Sequence, residues 1–133
     1  MRPRLLLDTH ILTRWFFESR KLSKTQLRAI ETAMGRGERL AYSAMSLLEI
    51  ALLVKGDRLV LTAPLDEFFR DLNADPAFCL LPLTYEVAVD AASLDSLRDP
   101  ADRTIAATAR VHRLRLVTSD QRIIESGLVP VLE

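Results

Sequence analysis

The stretch LLLDTHIL, Leu5 to Leu12, begins as an apolar run and breaks on a charge. Three leucines in a row, with no polar alternation, read as a strand buried on both faces, as in a parallel sheet covered by helices on either side. Asp8 stands where that strand ends. Why a charge sits there depends on what the rest of the chain places in equivalent positions.

The pattern recurs along the sequence. Short apolar runs at residues 5–7, 40–42, 79–81 and 116–118 read as buried strands, with 129–132 as a fifth. Longer segments between them carry helical spacing. SKTQLRAIETAM (23–34) has a capping box, Ser23 with Gln26, and an apolar face of Leu27, Ile30 and Met34. SLLEIALLVK (46–55) follows the second strand. PLDEFFRDLNA (64–74) opens on Pro64 and presents Leu65, Phe68, Phe69 and Leu72. YEVAVDAASL (85–94) is next, and DPADRTIAATARVH (99–112) has Asp99 as N-cap and Pro100 at the first helical position. Strands alternating with helices imply βαβ units. The expected fold class is α/β: a three-layer α/β/α sandwich around a central, mostly parallel sheet of four to five strands.

The chain has 133 residues, which suits one domain over 1–133 and a core that needs no disulfide or structural metal. Its single cysteine, Cys79, lies in FCLLPL and reads as a small core residue, compatible with a reducing cytoplasm. No run approaches the roughly 20 apolar residues that span a bilayer, and the N-terminal run is too short for a signal peptide. The expected location is cytoplasmic, with no membrane partner. Lys plus Arg equals Asp plus Glu, at 18 each, so net charge points to no nucleic acid and any such binding must come from local patches.

In an open α/β sheet, ligands bind outside the carboxyl ends of the strands. Asp8 follows the first strand and Asp120 follows LRLVTS. Glu49 lies in the first turns of the helix after LAYS, and Asp102 in the first turn of the helix opened by Asp99. Each acid also has a structural reading. Asp8 would cap a helix beginning near Ile11, and Glu49 would complete a capping box with Ser46. Asp102 would complement a helix dipole, and Asp120 would cap a last short helix. Two features favour a shared site. Glu49 is embedded in MSLLEIALLV, where a lone carboxylate is costly to bury. All four acids also fall on one edge of one sheet. Carboxylates about 5 Å apart repel by about 3 kcal/mol at an effective dielectric near 20. A hard divalent cation, Mg2+ or Mn2+, removes the conflict. The strand thus delivers Asp8 to a candidate metal site.

Taken in order, LLLDTHIL, SAMSLLEIALL, DPADRTIAATA and LVTSDQRI resemble the PIN domain family, and within it the VapC-type toxins of toxin–antitoxin pairs. The resemblance covers nearly the whole chain. It implies a metal-dependent endoribonuclease with a three-layer α/β/α fold, whose acids fall on Asp8, Glu49, Asp102 and Asp120. The polar helper beside the last acid falls on Thr118 or Ser119. Where relatives often carry a histidine before the RDP segment, this chain has Leu97. The resemblance also implies an RNA substrate, a cognate antitoxin and a homodimer.

Other residues divide between roles. Asp99 reads as a cap before a metal ligand. Arg103 would hold a phosphate, orient a carboxylate, or sit solvated. Thr9 would bond a metal-bound water or cap a helix. His10 and His112 have no mutual spacing for zinc, and His112 is expected exposed near a helix end. Trp15, Phe16 and Phe17 cannot all face inward on one helix, so part of the cluster is available to a partner. RVHRLR (110–115) reads as a solvated helix end that is also able to touch RNA backbone. There is no Ser-His-Asp order, P-loop or glycine-rich dinucleotide loop. Three rivals stand beside the nuclease. The first is a phosphotransferase or phosphatase with Asp8 as nucleophile, disfavoured because His10 stands where its second aspartate belongs. The others are a PIN nuclease of RNA processing and an inert α/β interaction module.

Overall fold

The computed structural model describes residues 2–133. Five parallel strands, β1 (Leu5–Leu7), β2 (Leu40–Ser43), β3 (Phe78–Leu81), β4 (Arg115–Val117) and β5 (Val131–Leu132), form one sheet in the order β3-β2-β1-β4-β5. The helices are α1 (Thr9–Phe17), α2 (Lys24–Gly35), α3 (Ala44–Lys55), α4 (Leu65–Ala74), α5 (Tyr85–Ala92), α6 (Pro100–His112) and α7 (Gln121–Ser126). No described helix is long and apolar enough to cross a membrane.

Alternation along the strands divides the core into two layers. Leu6, Ala41 and Leu116 face α5, α6 and α7, where they meet Val87, Ala91, Ile105, Ala106 and Ile123. Leu5, Leu7, Leu40, Tyr42 and Val117 face the other way, onto Ile11, Leu12, Ile30, Ile50 and Leu72 of α1 to α4. Both faces are covered, which is why the strands are apolar without a period of two. Helix α6 is buried along its middle, Thr104 to Ala109. Its threonine hydroxyls donate back to the carbonyls four residues earlier, Thr104 to Pro100 and Thr108 to Thr104, each at 2.7 Å, so no donor is stranded there.

The chain builds β1, β2 and β3 outward in one direction, then returns to place β4 and β5 on the other side of β1. The reversal puts a topological switch point between β1 and β4, where α/β sheets open a crevice at their carboxyl ends. Asp8 follows one of these strands, and Thr118 and Asp120 follow the other.

Local expectations fare unevenly. The Ser23–Gln26 capping box forms in full, and Pro100 sits at the start of α6 behind the Asp99 cap. Helix α3 begins at Ala44 with Ser43 as its N-cap, so Ser46 is internal and makes no capping box with Glu49. Helix α1 begins at Thr9, directly after Asp8, two residues before Ile11. Cys79 is half-buried on the edge strand β3 and not deep in the core. His112 is half-buried at the end of α6, with its Nε2 enclosed and unpartnered among the described residues.

Candidate active site

Asp8 is anchored from three sides. Its backbone N–H continues the sheet by donating to the Val117 carbonyl at 3.0 Å. Its Oδ1 accepts the Thr9 N–H at 2.8 Å as the N-cap of α1, and its Oδ2 accepts the Thr118 hydroxyl at 2.8 Å. The residue is 4% exposed. A carboxylate so enclosed is tolerated only because hydrogen bonds replace its water.

Thr118 ties the first acid to the last. While donating to Asp8, its Oγ1 accepts the Asp120 N–H at 3.0 Å. Asp120 in turn caps α7, accepting the Arg122 N–H at 2.9 Å. Gln26, 1% exposed, supports this loop from below by donating Nε2 to the Ser119 hydroxyl at 2.9 Å, while its Oε1 completes the capping box of α2. Helix α2 thus supports the loop behind the cleft, a role that the capping-box motif of Gln26 does not reveal.

Glu49 reaches the cleft from α3. Its Oε1 accepts the Thr9 hydroxyl at 2.5 Å, and Thr9 Oγ1 also lies 2.8 Å from the buried Ser46 hydroxyl. Thr9 has one hydroxyl proton, so when it donates to Glu49 it accepts from Ser46. Asp99 caps α6 by accepting the Ala101 N–H at 2.7 Å, which presents Asp102 one turn in.

These parts meet in a cleft of about 250 Å3 lined by Asp8, Thr9, Glu49, Asp99, Asp102 and Asp120, with His10, Thr13, Leu53 and Arg122. The four acids singled out in the sequence come together, as do Thr9 and Asp99. Thr118 and Ser119 lie in the loop behind the cleft. Arg103 does not join them: its Nε donates to the Leu97 carbonyl, and its side chain lines a separate hollow with Leu83, Arg98 and Thr104. No site role for His10, Thr13, Leu53 or Arg122 was legible in the sequence, and two of these lie beside its acids. His10 accepts the Ser119 N–H at Nε2, 2.9 Å, with Nδ1 3.8 Å from Asp8. Arg122 stands between two acids, 3.2 Å from Asp120 and 3.7 Å from Asp102.

Electrostatics follow from this crowding. Burial, then repulsion from Asp120, Asp99 and Asp8, pushes Asp102 up to about 6, with Arg122 opposing. Burial raises Glu49 as well, partly offset by the Thr9 hydroxyl and reinforced by Asp8 and Asp99. Burial also pushes Asp120 upward, but the hydrogen bonds and charge of Arg122 outweigh it and hold this carboxyl below its usual range. Desolvation lowers His10 despite the pull of Asp8, so it favours the neutral ring. Among the described residues, no three such side chains stand close enough to enclose an ion as they lie. The donor set is nonetheless all oxygen apart from His10, whose Nε2 is engaged. Mg2+ keeps several waters, so acids that line one cleft without closing on a single point suit a hydrated hard cation better than a closed cage.

The PIN domain family matches residues 5–127. The chain belongs to the PIN domain family. Ribonuclease VapC22 of Mycobacterium tuberculosis is 37% identical over 121 residues, covering 90% of this chain and 88% of that protein. The fold also matches the crystal structure of FitAcB from Neisseria gonorrhoeae, at TM-score 0.70 and 24% identity over 97% of this chain and 96% of that one. It matches VapBC2 from Rickettsia felis, solved bound to a DNA fragment from its promoter, at TM-score 0.70 and 13% identity over the full length of both chains. At these identities the structures speak for the PIN fold alone. The three-layer α/β/α fold of this PIN domain agrees with them.

Proposed function

We propose that this protein is a PIN-domain endoribonuclease, the toxin of a toxin–antitoxin pair, which hydrolyses RNA phosphodiester bonds with Mg2+ or Mn2+. The observation that carries the reading is the convergence of four carboxylates, from four separate segments, on one cleft at the switch point of the sheet. The 37% identity to a ribonuclease over most of the chain supports the same reaction class.

In this reading Asp8, Glu49, Asp102 and Asp120 hold the ion. When bound, it supplies a Lewis acid and an activated water for in-line attack on phosphorus. The chain's own residues prepare the site. Thr118 sets Asp8 and Asp120 in fixed relation, Thr9 and Ser46 orient Glu49, and Asp99 fixes the start of α6 beneath Asp102. Asp102 is charged above about pH 6, where the cleft attracts a cation most strongly.

A ribonuclease active in the cytoplasm endangers its own cell, and a toxin–antitoxin complex from Klebsiella pneumoniae has this fold. The partner in this reading is a cognate antitoxin. An arginine on its arm would pair with the acids of the cleft. Its apolar part would enter the groove of about 300 Å3 lined by Phe16, Phe17, Leu61 and Phe68. The homodimer comes from the family resemblance, and exposed apolar pairs one turn apart, Leu48 with Leu52 and Tyr85 with Val89, support it.

Incubating the purified protein with RNA in Mg2+, in Mn2+ and in a chelator tests the chemistry. Cleavage is expected with either ion and not with the chelator. Expression alone is expected to arrest growth, and co-expression with a small protein encoded beside it to restore growth. Harmless expression together with no cleavage in either ion would leave the inert module ahead.

A further inference from the structure

Among the described residues lining the acidic cleft, Arg122 is the one arginine, and no lysine joins it. Its guanidinium bridges two helices. Nη2 lies 3.2 Å from Asp120 Oδ2 and 3.7 Å from Asp102 Oδ2, and Nε lies 3.4 Å from Asp120 Oδ1. The side chain is 75% exposed and approaches the acids from the solvent side. The Asp120 cap of α7 does not need this side chain, because Asp120 Oδ1 takes the backbone N–H of Arg122 at 2.9 Å.

The Oδ2 atoms that Arg122 bridges belong to two of the proposed metal ligands. A Mg2+–oxygen bond is about 2.1 Å long. A divalent ion held by Asp102 and Asp120 would need the carboxylates that Arg122 now engages, and two cations so close would repel. Occupation is therefore exclusive. An exposed ion pair is a weak restraint, so displacement is easy. The displaced guanidinium stays tethered to the second residue of α7, at the rim, where an incoming phosphodiester needs a cation among so many acids. Its planar fork suits a phosphate.

We infer that Arg122 is the resident cation of the cleft: it neutralises Asp102 and Asp120 in the metal-free protein, competes with the divalent ion for them, and once displaced holds the RNA phosphate at the rim. This rests on the metal-dependent ribonuclease reading above. Arg122 acts here through the ion's affinity before RNA arrives and by direct contact with the phosphate afterwards.

The test is a Mn2+ titration of wild type, Arg122→Gln and Arg122→Lys without RNA, following loss of the free-ion paramagnetic resonance signal. RNA cleavage at saturating Mn2+ is measured beside it. Arg122→Gln is expected to tighten the apparent Mn2+ dissociation constant roughly threefold to tenfold, the range of one or two exposed ion pairs. Arg122→Lys, with a point charge in place of a fork, is expected to lie between it and wild type. Arg122→Gln should also raise KM for RNA more than it lowers kcat. Mn2+ affinity that is unchanged or weaker in Arg122→Gln overturns the competition, while the metal site stands if wild type still takes up Mn2+. Tighter Mn2+ with an unchanged KM overturns the phosphate role. A wild type that takes up no Mn2+ at millimolar concentration overturns the metal reading and this inference together.

Discussion

The two ends of the sheet carry opposite charge at different depths. At the carboxyl ends, Asp8 is 4% exposed, and the side chains of Asp102 and Asp120 are 16% and 20% exposed. At the amino ends, Arg2, Arg4, Arg110, Arg113 and Arg115 line a hollow of about 910 Å3, and the Arg4 side chain is 76% exposed. The arginines have ready partners. Arg110 pairs with Asp90 at 2.8 Å and Arg4 with Glu38 at 3.9 Å, while Arg115 donates to the Val131 carbonyl. Helix dipoles account for the sign at both ends, since the helices begin above the acids and end above the arginines. They do not account for the depth. A charge in solvent complements a dipole at no desolvation cost, whereas a buried carboxylate beside other carboxylates is a net strain on the fold. The difference separates charges that only suit the architecture from charges that the architecture was bent to hold.

The largest expected effect breaks or keeps that distinction. Asp8→Asn should reduce RNA cleavage at least about a hundredfold, as expected for loss of a metal ligand, while the chain stays folded. Arg113→Ala, a charge change of equal size at the other end, should leave cleavage within about twofold. Equal losses from both would erase the contrast.

Next in size is the link between the first and last acids. Thr118→Val removes the hydroxyl that Asp8 accepts and that receives the Asp120 N–H. Leaving these groups unsatisfied should cost about 2 kcal/mol of metal-free stability, read by denaturant melts. A cost under about 0.5 kcal/mol would mean that water replaces Thr118 without loss.

The third effect depends on pH. Folding raises the Asp102 pKa to about 6, so the folded chain keeps a proton that the unfolded chain releases between about pH 4 and 6. That contribution is fully present below about pH 4 and is lost as pH rises through 6. Relative to Asp102→Asn, the metal-free wild type should lose about 1 kcal/mol between pH 4 and 7, after allowance for solvent screening. Parallel stability curves for the two proteins would show that the cleft does not strain Asp102.

The smallest effect lies at the arginine end. Arg113 has φ 56° and ψ 47° at the end of α6, a left-handed position that glycine fills at no steric cost. Arg113→Gly should stabilise by about 0.5 kcal/mol. A clear loss would reveal that the Arg113 side chain does more at that end than the depth contrast allows.

Much of this protein could be read from the order of its residues. Leu5–Leu7 had to be doubly buried because nothing polar interrupts it, and Asp99-Pro100 had to open a helix because the acid accepts the free N–H groups and the proline lacks one. Asp8, Asp102 and Asp120 were legible because each lies at or within one turn of an element boundary, and boundaries are local. Glu49, inside α3, was legible instead as a carboxylate in apolar company, although its expected box with Ser46 failed, because the cap of α3 is Ser43, three residues before Ser46. Three decisions belonged to the tertiary structure. Strand order put β1 beside β4 and so made a crevice between Asp8 and Asp120, which are 112 positions apart in sequence. Packing carried Gln26 of α2 under the Thr118–Ser119 loop and turned Arg103 away toward Leu97. It also laid Arg122 across Asp102 and Asp120. A sequence specifies a side chain's chemistry and, through local periodicity, its place on a strand or helix. The direction in which a long side chain turns is settled by the charges that distant segments bring to it.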